Sequence, residues 1–168
     1  FLTHDIARID VQLDQPINYK AGQFAELTLD SVKNAPRSYS FSNAPDNQGL
    51  ASFTIRRVPS GRFSTYVFDK LVEGEILTVR GPGGDFWLRE GGEKVVFIAG
   101  GSGLDPILGM LEEMERKGDR RPVTLLFGAR TEQDLYELHR LDAYTKNWPG
   151  FRFVPILSED NSNHNWNG

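Results

Sequence analysis

The pattern of apolar residues changes abruptly near residue 92, and this change limits the folds available to the chain. Before it, apolar and polar residues alternate in short runs, such as Ile9, Val11 and Leu13 separated by Asp10 and Gln12. Similar runs cover residues 25–29, 51–58 and 75–80, with Pro16, Gly22 and the turn sequences "APDNQG", "PSG" and "GPGG" between them. Alternation with a period of two and frequent turn residues predicts an antiparallel β barrel or sandwich. One short helix fits residues 63–71.

The second half has continuous apolar runs separated by amphipathic segments. "KVVFIAGG", "VTLLFG" and "FRFVPIL" are typical of strands that are buried on both faces. The first helix between them is predicted over residues 105–118, with Asp105 as N-cap, Pro106 at its first position and Gly118 at its end. The second is predicted over residues 131–147, with Thr131 and Asp134 spaced as a capping box.

This strand–helix order predicts a parallel sheet with right-handed crossovers. The sequence therefore predicts an all-β antiparallel barrel over residues 1–91 and an α/β parallel-sheet nucleotide-binding domain over residues 92–168. We expect the second domain to be incomplete at its C-terminus, and the chain to be a piece of a longer protein.

Composition excludes several classes of function. The formal net charge is −4 and no dense run of Lys and Arg occurs, so we expect no nucleic-acid partner. No apolar run approaches the roughly 18 residues that span a bilayer, so we expect no membrane partner and a cytoplasmic location. The absence of Cys excludes disulfides and a thiolate-bound iron–sulfur cluster within this sequence, and three scattered His residues predict no metal site.

Two glycine-containing stretches could bind phosphate. "GGSGLDP", residues 100–106, joins a buried strand to a helix N-terminus, where backbone N–H groups favour an anion. It does not meet the dinucleotide pattern G-x-G-x-x-G, and a plain tight turn remains an alternative. The stretch "PSGRFST", residues 59–65, places Arg62, Ser64 and Thr65 at the start of the short helix, which suits a pyrophosphate; a Ser cap on a connecting helix is the alternative.

The stretch "RSYSFSNAP", residues 37–45, is unusual for a strand. Alternation places Arg37, Tyr39 and Phe41 on one face. A guanidinium group can hold a phosphate while the phenol ring stacks on a flat ligand. Ser40 then points away from Tyr39 unless the strand twists or its backbone N–H makes the contact. An ordinary polar edge strand is the alternative.

Taken in order along the chain, these stretches resemble the ferredoxin–NADP reductase-like family, in particular the reductase components of bacterial multicomponent oxygenases. "RSYSFSN" is similar to the family's flavin motif, "GRFSTYV" to its flavin pyrophosphate loop and "GPGGDFWL" to the closing segment of its barrel. "VVFIAGGSGLDPILGML" and "LLFGARTEQDLY" are similar to the nicotinamide-nucleotide loop and the strand and helix that follow. The similarity covers nearly all of the chain.

The resemblance implies FAD on a six-stranded barrel and NAD(P)H on the α/β domain. It assigns Arg37 to the flavin pyrophosphate, Tyr39 to the isoalloxazine face and Ser40 to a hydrogen bond near N5, so Tyr39 and Ser40 are the expected catalytic positions. The remaining implied cofactor-binding residues are Thr54, Ile55 and Arg56 beside the flavin; Gly61, Arg62, Phe63 and Ser64 at its pyrophosphate; and Gly101, Ser102, Gly103, Gly128 and Arg130 at the nucleotide.

The implied function is a flavin-dependent oxidoreductase module. It accepts hydride from NADH onto FAD and passes single electrons to a [2Fe–2S] centre, on a partner or on a domain outside this sequence, that serves an oxygenase. The implied partners are an iron–sulfur domain or ferredoxin and an oxygenase component. An alternative is a flavin- or nucleotide-binding module without turnover.

The residues after the third strand and one departure from the family's pattern lead to further expectations. Ser158, Glu159 and Asp160 follow the third strand and would repel the 2′-phosphate of NADPH, so we expect NADH to be preferred, although Arg130 argues the other way. Asp105 stands where the family usually has a small residue. As an N-cap it would compete with a phosphate for the same N–H groups, so we expect weaker nucleotide binding than in relatives.

Overall fold

The computed structural model describes residues 1–32 and 36–159, and its N-terminal half is built from antiparallel strands. Strand β1 (Ile6–Gln12) pairs with β4 (Leu50–Arg56), and β2 (Phe24–Leu29) lies between β3 (Arg37–Ser40) and β5 (Leu77–Gly83). A single bridge between Phe41 and Phe53 joins the two sheets. This confirms the prediction of an antiparallel β half.

The barrel core follows from the alternation in the sequence. Ala25, Leu27 and Leu29 of β2 are buried, and helix α1 (Arg62–Asp69) adds Phe63 and Val67 to the same cluster. Alternation holds because successive side chains of a strand point to opposite faces. The predicted strands at 25–29, 51–58 and 75–80 and the helix at 63–71 are therefore confirmed within a few residues.

The C-terminal half is the predicted parallel sheet. Strands β6 (Val95–Gly100), β7 (Val123–Ala129) and β8 (Phe151–Leu157) lie in that order, and helices α2 (Asp105–Lys117) and α3 (Leu138–Asn147) connect them. Helix α2 ends at Gly118, whose φ of 69° is left-handed, as the sequence predicts. No helix within residues 1–32 and 36–159 is both long and apolar enough to cross a membrane.

Three predictions in this half are wrong in detail. The N-cap of α2 is Leu104, because residues 101–104 already form a 3₁₀ turn that runs into the helix, and Asp105 is its first residue. The capping box of Thr131 and Asp134 forms, but it caps only a 3₁₀ turn at Glu132–Asp134; Glu137 has a φ of 57°, and α3 starts after it. Strand β6 buries Phe97 and Ala99 but exposes Val96 and Ile98, because one face has no covering element among the described residues.

Two expectations for the barrel also differ from the structure. The predicted strand at 37–45 ends at Ser40, and the chain then turns into the loop of residues 41–45. The described residues of the N-terminal half form five strands where the resemblance implies six. Residues 13–23, which include Pro16, form no strand, and proline cannot donate to a strand ladder.

The two halves pack together along a seam, which we define as the contact of α2 and residues 135–137 with β1, β4 and loops 19–22 and 41–45. Ile6 and Ala21 from the N-terminal half lie in the hydrophobic core of the α/β half. Glu112 of α2 accepts a hydrogen bond from the amide of Ala44 (3.2 Å), and Arg116 donates to the carbonyl of Pro45 (3.0 Å). Both apolar and polar contacts therefore hold α2 against the barrel.

Gly22 provides a test of this packing. Its φ is 103°, and an added Cβ would lie 2.3 Å from both the Phe86 carbonyl oxygen and Met110 Cε of α2. Gly74 has a similar φ of 86° with no atom within 4 Å of the same position. Both substitutions by Ala strain the backbone, but only Gly22→Ala also forces the seam apart.

We expect Gly22→Ala to lower the free energy of unfolding by about 1–3 kcal/mol more than Gly74→Ala does. Denaturant unfolding of both variants measures this difference. Equal losses would show that the close packing at Gly22 does not contribute to stability.

Candidate functional site

The first group of predicted residues lies on β3 and α1. The ring of Tyr39 packs against Phe63 with 5.5 Å between centroids, and burial raises the pKa of its phenol to about 12. Arg37 is exposed and donates to the carbonyl oxygen of Pro36 (2.8 Å). Ser40 is half-buried at the end of the strand. A flat, partly buried ring beside an exposed cation can contact a flat anionic ligand.

The N-terminus of α1 lies next to this ring. Gly61 is the N-cap, and an added Cβ there would lie 2.7 Å from Ser64 Oγ. The Ser64 hydroxyl is buried and accepts from the amide of Val58 (3.1 Å), so it closes the turn of residues 58–64. Within the described residues no side chain caps the helix. This end of α1, which begins at Arg62, therefore offers first-turn backbone N–H groups to a phosphate.

Strand β4 connects this group to the α/β half. Ala51 to Ile55 are all buried, because Phe53 and Ile55 face the barrel core while Thr54 faces the seam. The strand contacts β3, α1 and the 3₁₀ turn of residues 101–104. Arg56 at its end is exposed and pairs with Asp5 (Nε to Oδ2, 2.9 Å). One strand therefore touches both candidate phosphate sites.

The second group surrounds a cavity of about 310 Å³ at the carboxyl ends of the parallel strands. Ligands of parallel α/β sheets bind at this edge. Four of the predicted residues line it, Arg56, Gly101, Gly128 and Arg130. The other lining residues are Asp5, Ile6, Gly100, Ala129, Asp134, Ile156 and Ser158.

The glycine loop, residues 100–103, leaves room for a ligand. A Cβ added at Gly100 or Gly103 would meet no atom within 4 Å. Gly101 has a φ of 52°, and a Cβ there would lie 3.7 Å from Arg56 Nη1 of β4. The loop therefore lies directly beside the end of the strand on which the flavin residues were predicted.

Arg130 is not an isolated cation. Its Nε and Nη2 donate to the two carboxylate oxygens of Glu159 at 3.1 and 3.0 Å. This pairing holds the pKa of Glu159 below its ordinary value, and both side chains are exposed. Ser158 lines the cavity, and Asp160 lies outside the described residues.

Asp105 does not act as a helix cap, which removes the stated basis for competition with a phosphate. Its side chain is 3% exposed in the seam, where Tyr136 donates to Oδ1 at 2.9 Å. Burial raises the pKa of Asp105 to about 7, although hydrogen bonds from Thr54 and Tyr136 act in the opposite direction. The carboxyl group is therefore a buried polar contact between the halves.

Some residues of the site escaped the sequence analysis. Asp5 and Asp134 line the cavity, and Tyr136 reaches the carbonyl oxygen of Gly101 (3.3 Å). His4, Asp5 and Asp134 also place potential ligand atoms within 4.8 Å of one another, but Asp5 pairs with Arg56 and Asp134 caps its turn. Asp134 belongs to the predicted capping box and Tyr136 to the stretch "LLFGARTEQDLY", but no local spacing places these residues or Asp5 at the site.

A larger cavity than the one at the glycine loop lies elsewhere. A groove of about 950 Å³ runs between β1 and β5 and is lined by Ile9, Val11, Leu77 and Val79 among others. None of the predicted site residues lines this groove.

Comparison with known proteins gives two family matches. Residues 1–87 match the oxidoreductase FAD-binding domain family, and residues 97–168 match the oxidoreductase NAD-binding domain family. The electron transfer component of xylene/toluene monooxygenase from Pseudomonas putida is 41% identical over 168 residues, covering 99% of this chain and 48% of that protein. The phenol hydroxylase P5 protein of Acinetobacter pittii is 34% identical, covering 99% and 47%.

Solved structures of reductases superpose on nearly the whole chain. An Amycolatopsis cytochrome P450 reductase superposes with a TM-score of 0.87 at 35% identity, covering 97% of this chain and 50% of that one. A ferredoxin reductase of carbazole 1,9a-dioxygenase gives a TM-score of 0.87 at 32% identity, covering 97% and 49%. The chain spans about half the length of the curated relatives it matches.

The buried Asp105 predicts a pH-dependent stability. Because its pKa is raised from 3.8 to about 7, the folded protein keeps a proton that the unfolded chain releases. The resulting stability is fully present below about pH 4 and is lost as the pH rises through 7. Asp105→Asn cannot lose this proton.

At pH 8 we expect the free energy of unfolding of Asp105→Asn to be higher than that of the wild type, by at most about 4 kcal/mol. This difference should shrink as the pH falls towards 4. Denaturant unfolding at several pH values measures it. Asp142→Asn, at an exposed position of α3, is the control and should follow the wild type. Parallel curves for Asp105→Asn and the wild type would contradict the buried, raised-pKa carboxyl group.

Proposed function

The chain belongs to the ferredoxin–NADP reductase-like family, and from that membership we propose that it is the flavin reductase module of an oxygenase system. It takes a hydride from NADH onto FAD and passes single electrons to a [2Fe–2S] centre. The observation that most supports this is the position of β4. Its Arg56 lines the cavity at the glycine loop, while the same strand contacts β3 and α1, which bear Arg37, Tyr39 and Gly61.

The flavin site is proposed on β3, β4 and α1. Tyr39 would pack on the isoalloxazine ring, with Ser40 near N5, and Arg37 and the first turn of α1 would bind the pyrophosphate. The residues fit this group because they combine an aromatic surface, an exposed guanidinium and first-turn N–H groups. Thr54, Ile55, Arg56, Gly61, Arg62, Phe63 and Ser64 complete the proposed site.

The nicotinamide nucleotide is proposed in the cavity at the carboxyl ends of β6 and β7. Gly101, Ser102 and Gly103 would approach its pyrophosphate, because the glycine loop leaves room there and precedes α2. Gly128 and Arg130 would lie beside the ribose and pyrophosphate. A cavity of about 310 Å³ lies at the lower end of the range for small-ligand sites.

The chemistry of two-electron acceptance and one-electron release belongs to FAD when it is bound. The chain itself has to hold the donor and acceptor rings in contact, since hydride transfer depends on their proximity and orientation. Strand β4 and the packed seam are suited to this because they fix the two halves against each other. No side chain is required as a strong acid or base.

The electron acceptor is proposed to lie outside this sequence. One relative named above is the electron transfer component of xylene/toluene monooxygenase, and another is a ferredoxin reductase in carbazole 1,9a-dioxygenase. We therefore propose an iron–sulfur domain or ferredoxin and an oxygenase component as partners, and a cytoplasmic location.

Anaerobic reduction tests the proposed function. The protein is loaded with FAD, and the oxidised flavin spectrum is followed after addition of NADH. Rapid bleaching is the expected result. A flavin that binds but stays oxidised with NADH and NADPH would indicate instead a cofactor-binding module without turnover.

FAD titration of matched Arg variants tests the position of the flavin. Arg37→Gln should weaken FAD binding by roughly tenfold, because it removes a cation from the proposed pyrophosphate site. Arg152→Gln, an exposed residue at the amino end of β8, should leave it unchanged. Equal affinities in the two variants would remove Arg37 from the flavin site.

The ion pair of Arg130 with Glu159 supports NADH as the preferred nucleotide. A carboxylate at this place neutralises the guanidinium and repels a 2′-phosphate.

We expect Glu159→Gln to raise kcat/KM for NADPH about threefold to tenfold, with less than about a twofold change for NADH. Steady-state kinetics with an artificial electron acceptor measures both values. Glu115→Gln, on the exposed face of α2, is the control. An unchanged preference would show that Glu159 does not select the nucleotide.

A further inference from the structure

One hydroxyl group in the seam lies between a buried acid and the glycine loop. The Tyr136 oxygen is 2.9 Å from Asp105 Oδ1 and 3.3 Å from the carbonyl oxygen of Gly101. Tyr136 is 2% exposed and Asp105 is 3% exposed, so water has little access to this contact. The family pattern used for the cofactor sites assigns no role to either residue.

The phenol has a single hydrogen to donate to these two acceptors. An ionised Asp105 carboxylate is the stronger acceptor of the two and takes this hydrogen. Its Oδ1 is also the nearer acceptor, at 2.9 Å against 3.3 Å. A protonated Asp105 can instead donate its own hydrogen to the Tyr136 oxygen. The Tyr136 hydrogen is then available to the Gly101 carbonyl.

We propose that Asp105 is a positioning residue for nucleotide binding, acting through Tyr136 on the glycine loop. With Asp105 protonated, Tyr136 donates to Gly101 and holds the loop in its binding conformation. With Asp105 ionised, that hydrogen bond is lost and the nucleotide binds more weakly. This rests on the proposed function, because it takes the cavity at the glycine loop as the nucleotide site.

The groups around Asp105 come from every element packed against it. Thr54 of β4 and Tyr136 donate hydrogen bonds to it, the carboxylate of Glu137 disfavours its ionised form, and Arg8 of β1 favours it. Burial is the largest influence and raises the pKa of Asp105 to about 7, so the switch falls within the physiological range.

Glu137, which lies near Asp105, has two neighbours of its own, Arg8 and His139. Glu137 itself is buried and lies 3.7 Å from Arg8 Nη1. His139 Nε2 lies 3.7 Å from the other carboxylate oxygen of Glu137 and is exposed. Because His139 contacts Glu137, its contribution is tested separately from that of Asp105.

Proton and nucleotide binding are then linked in both directions. If nucleotide binding favours protonated Asp105 by one pKa unit, affinity falls about tenfold between low and high pH. Asp105→Asn should abolish this dependence and bind the nucleotide at every pH with the affinity that the wild type has at low pH. The NH₂ group of the introduced amide can donate to Tyr136 while its oxygen accepts from Thr54, as the protonated acid does. Tyr136→Phe should also abolish the pH dependence, but with the weaker affinity that the wild type has at high pH.

The binding experiment uses FAD-loaded protein and 1,4,5,6-tetrahydro-NAD, an analogue that cannot donate hydride. Calorimetric dissociation constants are measured from pH 5.5 to 8.5 for the wild type and for Asp105→Asn, Tyr136→Phe and His139→Gln. The expected result is about a tenfold weakening across this range in the wild type and in His139→Gln, and flat profiles in the other two. A flat wild-type profile, a dependence retained in Asp105→Asn or one lost in His139→Gln would overturn the proposal.

A second measurement needs no nucleotide and separates this inference from the proposed function. In ¹⁵N-labelled protein, the amide shifts of Gly101 and Ser102 should titrate near neutral pH in the wild type and remain constant in Asp105→Asn. Constant wild-type shifts would overturn the proposed switch. Titrating shifts without nucleotide binding at any pH would leave the switch in place and refute the nucleotide site.

Discussion

The packing of β4 between the barrel and α2 is the constraint on which the rest of the structure depends. Strand β2 buries only alternate residues, but β4 buries every residue from Ala51 to Ile55. Its odd-numbered side chains fill the barrel core, and Thr54 faces Asp105 across the seam. Residues on either side of this strand cannot move apart without exposing apolar surface, which costs about 25 cal/mol per Å².

The same packing explains how two weakly defined motifs come to contact the same strand. The glycine loop alone fits a plain tight turn, and the 37–40 strand alone fits a polar edge strand. In the folded chain the Arg56 guanidinium lies beside Gly101, and α1 and β3 contact the strand that ends at Arg56. Both motifs therefore contact the same strand, and the cofactors proposed for them would lie close together, as hydride transfer requires.

Sequence predictions held where the structure depends on local composition, and one failed where it depends on a contact across the seam. Each strand of the α/β half within the described residues was predicted from its apolar run, because apolar runs mark the strands of a parallel sheet. The capping box of Thr131 and Asp134 formed as its spacing predicts, yet the helix did not continue through Glu137. There the left-handed backbone brings Glu137 within 3.7 Å of Arg8 of β1, a partner 129 positions away that no local pattern identifies.

Asp105 illustrates the same limit at the site. Its sequence context, immediately before Pro106 at the start of a helix, favours an N-cap. The preceding residues continue as a 3₁₀ turn, so the carboxyl group faces Tyr136 and Thr54. The residue types of the proposed cofactor motifs stand out in the sequence because close backbone approach requires glycine and phosphate binding favours arginine. The polar contacts that position those motifs depend on tertiary packing and were not.

The central claim is that both cofactors bind beside β4. A crystal structure of the protein with FAD and 1,4,5,6-tetrahydro-NAD tests it most directly. We predict the flavin ring against Tyr39 and the nucleotide pyrophosphate at Gly101–Gly103, with the two reactive rings in contact near the end of β4. A flavin or nucleotide bound in the groove between β1 and β5, or rings separated by the seam, would contradict this account.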